Sequence, residues 1–520
     1  MDGKSANFDA VVIGSGFGGS INALRLAQAG KSVLVLERGK RYQPSEFPRN
    51  VEDINTLLWR YPSTPASQGL YDVRFFSGLG AVVASGVGGG SLIYANIHIR
   101  PDPIVFDDLR WPRSINRNTL DPYYDRVRAE LDASPLPEDI KVPKRDAYRA
   151  AAKQLGREVF DPDQAVSWRS SPSPGRQPCQ LVAQCEFGCP YGAKNTLDLT
   201  YLAKAERLGA IVSPECFVTF IEPADKRYRV HYRKTNSGED RIVSGRCVVV
   251  SAGTLGTNEL LLRCRDVYRT LPDLSTRLGH GYSANGDFLG SIQNASADLN
   301  PWDGPDVTSV IRYFDSPPQF TMAAPTFSRP VMNVLAAMGQ GDGNWLRGLS
   351  SVLWPKLGRL LPWALQKGLL STPCNPPGPH SGDPSHMTNL FAIGRDNANG
   401  WLKLANGGLD IEWNYADENA ALIDRMTNAM HEVSNVYGGT FAPILTWQMF
   451  RRIITVHSLG GCHLSDSPQS GVVSTCGEVH GYPRLYVADG SVIPSSIGFH
   501  PVMTISAVSE YISEAVVASC

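Results

Sequence analysis

The chain has 520 residues, of which 42% are hydrophobic and 19% are charged, a balance typical of a globular protein with a large apolar core. Its formal net charge is −1, so no overall field attracts nucleic acid, and a nucleic-acid partner is not expected. Ten cysteines are too few for a disulfide scaffold, and no apolar run approaches the roughly 20 residues that span a bilayer. We therefore expect a cytoplasmic protein with reduced thiols, at most peripheral to a membrane.

The N-terminal segment predicts one complete β-α-β unit. An apolar run at 8–14 predicts a buried strand, 21–29 has helical composition, and 32–36 predicts a second strand that ends at Glu37. The glycine-rich turn between strand and helix fits G-x-G-x-x-G, which lets backbone approach a pyrophosphate at a helix N-terminus. An acidic residue after the second strand accepts hydrogen bonds from ribose hydroxyls and repels a 2′-phosphate. The residues predicted to bind a dinucleotide here are Gly14, Gly16, Phe17, Gly18, Gly19 and Glu37.

A second glycine cluster, G-V-G-G-G-S, lies at 86–91. A loop without side chains lets backbone approach a flavin or its phosphates closely. The same composition is also typical of a turn that glycine is needed to pack, and both interpretations stay open.

Three cysteines lie close together in a predicted loop, with the spacing C-x5-C-x3-C-P. Cys179, Cys185 and Cys189 could ligate an iron–sulfur cluster, because cysteine thiolates are its usual ligands. Three free thiols, or a disulfide and one free thiol, are the alternatives.

Later segments predict a discontinuous domain organisation. Alternating stretches at 211–221, 228–234 and 241–251 predict strands, and 259–264 and 504–517 predict helices. A predicted cofactor-binding domain comprises residues 1–50, 75–100, 200–285 and 455–520. A predicted substrate-binding domain, with the Cys-rich loop and a lid, comprises residues 51–74, 101–199 and 286–454.

The predicted lid lies at 340–370, where Trp and Leu residues alternate with Arg and Lys. One interpretation is an amphipathic segment that touches a membrane and admits a lipid-like alcohol. Core helices broken at Pro355 and Pro362 are the interpretation that the pattern favours.

Two histidines near the C-terminus are the candidate catalytic residues. His457 lies in T-V-H-S-L-G-G-C and His500 in G-F-H-P, on either side of the predicted strand L-Y-V-A-D-G. A neutral imidazole accepts a proton near neutral pH, and a second imidazole can orient the same oxygen atom. The residue types do not decide which histidine is the base.

Six segments, in order along the chain, resemble the glucose–methanol–choline (GMC) flavin oxidoreductases and, within them, the cholesterol-oxidase-like branch. They lie at 12–19, 86–92, 192–197, 251–256, 457–462 and 489–504. The resemblance implies an α/β fold, with a Rossmann-like FAD-binding domain and an α+β substrate domain built on a mostly antiparallel sheet. It also implies FAD contacts at Gly88, Gly90, Tyr94, Asn96, the Val218 backbone, Asp489, Gly490, Pro501 and Met503.

The function that the resemblance implies is oxidation of a hydrophobic, sterol-like secondary alcohol to a ketone. Hydride passes to flavin N5 while His457 and His500 contact the alcohol oxygen, with His500 favoured as the base by analogy. The electron acceptor is O2 or an acceptor protein. The cysteine spacing resembles that of GMC dehydrogenases with a [3Fe–4S] centre, so a dehydrogenase is one alternative, and a non-redox lyase that retains FAD is another.

Overall fold

Two β-sheets dominate the computed structural model, which describes residues 7–48, 57–59, 68–329, 332 and 383–520. The larger sheet has seven strands, and its first strand, Asn7–Ile13, pairs in parallel with a neighbour on each side. In spatial order the strands are Ile211–Ser213, Val33–Leu36, Asn7–Ile13, Asp240–Val250, Arg227–Lys234 and Cys216–Ala224, with Leu485–Val487 also paired to Asp240–Val250. Both ends of the described chain thus contribute strands to one sheet.

The parallel strands form where the sequence is continuously apolar. Val33–Leu36 is buried along its whole length, as are Ala10 to Ile13, because helices cover a parallel sheet on both faces. The predicted strand at 211–221 is two strands in the structure, since Pro214 lacks a backbone N–H and Glu215 has a φ of 57°.

Helix Phe17–Gln28 follows the glycine turn and packs on the C-terminal helix Val502–Ser519. Arg25 Nη2 lies 2.6 Å from Glu510 Oε1 between them. Cys520 at the chain end forms a disulfide with Cys247 of the central strand. The expectation of reduced thiols is therefore wrong for this pair, which no local sequence spacing indicates.

The second sheet has six strands, and every neighbouring pair is antiparallel. Helix Ala420–Val436 packs against it with an apolar stripe at helical spacing, which includes Leu422, Met426 and Val433. The strands, in spatial order, are Thr440–Pro443, Phe288–Gln293, Thr388–Gly394, Phe320–Ala323, Val310–Tyr313 and Glu158–Phe160. The predicted combination of a Rossmann-like sheet and a mostly antiparallel sheet is confirmed, whereas the exact domain boundaries stay a prediction.

The remaining described elements connect and cover these sheets. Three small sheets contain Tyr71–Phe75, Gly80–Ala84 and Ile454–Thr455; His280–Tyr282, Gly400–Ala405 and Gly408–Glu412; and Ile97–His98 with Asp163–Gln164. The other α-helices are Arg117–Glu130, Pro143–Gln154, Tyr201–Arg207, Gly253–Leu262, Tyr415–Glu418 and Leu445–Phe450.

No helix within the described residues is both long enough and apolar enough to cross a membrane. The predicted lid at 340–370, and with it the hypothesis of peripheral membrane contact, lies outside the described residues.

Candidate active site

A cavity of about 400 Å³ lies beside the glycine turn that follows the first strand. Its wall contains that turn, the start of the C-terminal helix, and Phe391 of the antiparallel sheet. Such a cavity at the carboxyl ends of parallel strands is the usual position of a nucleotide site.

The glycine turn is held against its neighbours by contacts that exclude a side chain. A Cβ on Gly14 would lie 2.3 Å from the Ser251 carbonyl oxygen, and one on Gly18 would lie 1.5 Å from the Ala488 carbonyl oxygen. Gly14 also has a φ of 94°, a conformation that favours glycine. A Cβ on Gly16, by contrast, would meet no atom within 4 Å and lies on the cavity wall. The turn therefore fits the phosphates of a dinucleotide such as FAD, because its open position faces the cavity.

Glu37 fixes this turn from the end of the second strand. Its Oε2 accepts hydrogen bonds from the Ser15 amide at 3.0 Å and the Ser15 hydroxyl at 2.6 Å, and its Oε1 accepts from the Gly39 amide at 2.9 Å. Glu37 also lines the cavity, so one carboxylate both shapes the turn and is available to a ribose hydroxyl.

His457 and His500 line the same cavity and lie beside each other, next to Phe391. Their ring centroids are 5.5 Å apart and the rings are nearly perpendicular, at 77°. Phe391 stacks on His457 at 5.5 Å and contacts His500 edge to face at 6.4 Å. The structure therefore brings together two imidazoles that are 43 residues apart in sequence, and an aromatic wall fixes their orientation.

The two imidazoles have different electrostatic surroundings. Nδ1 of His457 lies 2.8 Å from Oδ1 of Asp287, a fully buried carboxylate. Nδ1 of His500 is buried and has no hydrogen-bond partner among the described residues. Burial, together with neighbouring His457 and His98, holds the pKa of His500 well below its ordinary value. His500 is therefore neutral at physiological pH.

Most of the predicted cofactor residues line the cavity. These are Gly14, Gly16, Phe17, Gly18, Glu37, Gly90, Tyr94, Val218, Asp489, Gly490 and Pro501. Gly19, Gly88, Asn96 and Met503 are not part of its wall. Gly19 packs its helix onto the turn, where a Cβ would lie 2.0 Å from the Gly14 carbonyl oxygen, and Met503 points into the core.

The three cysteines of the loop do not form a set of converging metal ligands among the described residues. Within the residues that the structure describes, which include Cys179, Cys185 and Cys189, no group of three or more His, Cys, Asp or Glu side chains could hold a metal ion. The structure thus gives the iron–sulfur hypothesis no support.

Sequence reasoning missed three residues at the cavity. Asp287 binds His457 from 170 positions earlier in the chain, and Phe391 and Glu186 lie on the cavity wall. Burial and the neighbouring Asp306 carboxyl raise the pKa of Glu186 well above its ordinary value. Only tertiary structure brings Asp287 and Phe391 to the histidines and Glu186 to the cavity wall, so no local spacing predicts them.

Sequence comparison matches both ends of the chain to one family. Residues 8–264 match the N-terminal part of the GMC oxidoreductases, and residues 409–509 match their C-terminal part. The two matches include the glycine turn, His457 and His500.

Curated relatives align along nearly the whole chain. A cholesterol oxidase of Mycobacterium tuberculosis is 29% identical over 97% of this chain and 90% of its own length. A cholesterol oxidase of Acinetobacter baumannii is 26% identical, with coverage of 97% and 93%. A long-chain-alcohol oxidase of Arabidopsis thaliana is 22% identical over 97% of this chain and 66% of its own.

A solved structure shares the fold. Pyridoxine 4-oxidase from Mesorbium loti superposes with a TM-score of 0.65 at 16% identity and covers 98% of both chains. The two family matches agree with the glycine turn and the cavity beside it. The chain therefore belongs to the GMC oxidoreductase family, whose members are FAD flavoproteins that act on CH–OH groups and pass the electrons to an acceptor.

Proposed function

We propose that this protein oxidises a hydrophobic, sterol-like secondary alcohol to a ketone, with His457 and His500 on the alcohol oxygen and O2 as the acceptor. The observation that carries the proposal is the pair of imidazoles, 5.5 Å apart, in the wall of the cavity that begins at the glycine turn. Relatives named cholesterol oxidases at 29% and 26% identity support the substrate class.

The cavity wall around the histidines supports an apolar substrate. Phe391, which contacts both imidazoles, lies on this wall. Val456 and Val502 also line the cavity, next in sequence to His457 and Pro501. A hydrophobic alcohol would lose water on entering, and this strengthens its hydrogen bonds to the imidazoles.

The proton and the hydride leave the alcohol by different routes. FAD, when bound, supplies the hydride acceptor. His457 accepts the hydroxyl proton, and neutral His500 donates a hydrogen bond that orients the same oxygen. Residues of the glycine turn, Glu37 and the Asp489 segment would hold the cofactor, since they line its part of the cavity.

Substrate class is tested by steady-state assays of the FAD-loaded protein. We expect cholesterol and related 3-hydroxysteroids to give the highest kcat/KM, long-chain primary alcohols a lower value and pyridoxine none. Hydrogen peroxide formed in proportion to ketone would support O2 as the acceptor. A preference for primary alcohols would contradict the proposed substrate class, and turnover only with an added dye or acceptor protein would contradict the assignment of O2.

Replacing His500 tests its role as a neutral orienting group. We expect His500→Asn to lower kcat/KM about tenfold, the effect of one weakened hydrogen bond in the transition state. Burial holds the pKa of His500 well below its ordinary value, so this imidazole is not the group whose protonation produces an acidic limb near neutral pH. The acidic limb of the kcat/KM profile should therefore stay at the wild-type pH. A limb that moves by a pH unit or more would show that His500 is the titrating group.

A further inference from the structure

Both carboxylate oxygens of Asp287 form hydrogen bonds with the segment that contains His457. Its Oδ2 lies 2.9 Å from the Thr455 hydroxyl and 2.9 Å from the Val456 amide. Its Oδ1 lies 2.8 Å from Nδ1 of His457. Three consecutive residues of the histidine segment therefore bind one buried carboxylate, which comes from the loop before strand Phe288–Gln293.

The contact on Oδ1 fixes the tautomer of His457. An ionised carboxylate only accepts hydrogen bonds, so the imidazole carries its proton on Nδ1. In the neutral ring the other nitrogen, Nε2, then has a free lone pair. His457 Nδ1 is directed to Asp287, and Nε2 is the nitrogen left for the cavity that His457 lines.

No comparable group holds His500. Its Nδ1 has no partner among the described residues, and the other imidazole and an aromatic ring are its ring neighbours. The two histidines are therefore not equivalent, although the sequence offers no means of distinguishing them.

We infer that Asp287 is a positioning residue that makes His457, rather than His500, the base of the alcohol oxidation. It holds the Nδ1–H tautomer, presents the Nε2 lone pair to the hydroxyl proton, and stabilises the imidazolium that forms when the proton arrives. The inference rests on the proposed function, in which His457 accepts the proton, and adds to it the residue that fixes the tautomer of this base.

Asp287→Asn is a sharp test because the structure dictates how the new amide would lie. The backbone amide of Val456 donates to Oδ2 and needs an acceptor there, so the amide oxygen of the variant takes the place of Oδ2. The amide nitrogen, which only donates hydrogen bonds, then faces Nδ1 of His457. Nδ1 must therefore act as an acceptor and carry no proton. The imidazole proton is therefore forced onto Nε2, which removes the lone pair from the cavity with almost no change of shape.

The experiment measures the tautomer and the chemistry separately in the FAD-loaded protein. Long-range ¹H–¹⁵N NMR of ¹⁵N-histidine protein, with His457 assigned by comparison with His457→Gln, should show Nδ1–H in the wild type and Nε2–H in Asp287→Asn. With cholesterol, the anaerobic rate of flavin bleaching should fall about 10²-fold in Asp287→Asn, with little change in KM. The NMR arm needs no substrate, so it remains informative if cholesterol is not oxidised.

Asp396→Asn is the matched control. Asp396 is buried like Asp287 and holds the same loop, since it accepts hydrogen bonds from Ser283, Ala284 and Gly286, but it does not contact His457. We expect this variant to lose stability while keeping the wild-type tautomer and bleaching rate. An Nε2–H tautomer in the wild type, or an equal loss of rate in both Asn variants, would overturn the assignment.

Discussion

Replacing His457 with glutamine is expected to lower the rate of anaerobic flavin bleaching by cholesterol about 10³-fold, because the base that accepts the hydroxyl proton is lost. Glutamine keeps a polar side chain of similar reach but has no nitrogen that is basic near neutral pH. FAD content should stay at the wild-type level, since His457 lies at the Phe391 end of the cavity and not at the glycine turn. Stopped-flow absorbance of the FAD-loaded variant measures the rate.

His463→Gln is the control for this variant. His463 belongs to the same segment, and its Nε2 bonds the Gly281 carbonyl oxygen at 3.0 Å, but it does not line the cavity. Burial lowers its pKa to about 4, so it is a neutral structural group. We expect His463→Gln to bleach at close to the wild-type rate. Equal losses in the two variants would mean that damage to the segment, rather than loss of a base, explains the effect of His457→Gln.

Gly18→Ala is expected to have the largest effect on folding. The added Cβ would lie 1.5 Å from the Ala488 carbonyl oxygen, a backbone atom at the end of strand Leu485–Val487. Helix Phe17–Gln28 or this strand must therefore move, at a cost of about 3 kcal/mol or more. We expect little folded protein, or an apoprotein whose urea midpoint is much reduced and which retains no FAD.

Gly16→Ala separates cofactor binding from folding at the same turn. The new methyl group meets no protein atom within 4 Å and enters the cavity. We expect the apoprotein to keep its wild-type stability while FAD affinity falls at least about tenfold. Gly408→Ala, which also has open space around it but lies outside the cavity wall, should change stability by less than about 0.5 kcal/mol and leave FAD binding unchanged. Wild-type FAD affinity in Gly16→Ala would show that the phosphates do not lie at this turn.

The sequence was sufficient to predict features that depend on short-range pattern. The β-α-β unit with its glycine turn, the strands that follow 211, and the C-terminal helix all depend on local periodicity and breakers. The two histidines were found because each lies in a distinctive local motif, and the structure places both on one cavity.

Contacts between distant segments were not predictable in this way. Asp287 has no local signal, since its carboxylate reaches the histidine segment only when the loop before strand Phe288–Gln293 of the antiparallel sheet folds against it. The disulfide joins Cys247 to Cys520 across 273 positions. The iron–sulfur hypothesis came from cysteine spacing alone, and spacing does not show whether three thiols converge on one point.

The same distinction applies to Gly19, Gly88, Asn96 and Met503, the four predicted cofactor residues that do not line the cavity. Each one neighbours a residue that does, such as Met503 beside Val502 and Gly88 near Gly90. The resemblance indicates segments that border the cavity, but which residue of a segment faces the cavity depends on the local turn of the backbone.

Anaerobic mixing of the FAD-loaded wild-type protein with cholesterol, unlabelled or deuterated at the carbinol carbon, tests the central claim most directly. We predict that the flavin bands bleach in a single phase, that one ketone forms for each FAD, and that deuterium slows the bleaching. Flavin bands that persist while the alcohol is consumed, or that persist with every secondary alcohol tested, would contradict the claim that this cavity oxidises a hydrophobic alcohol.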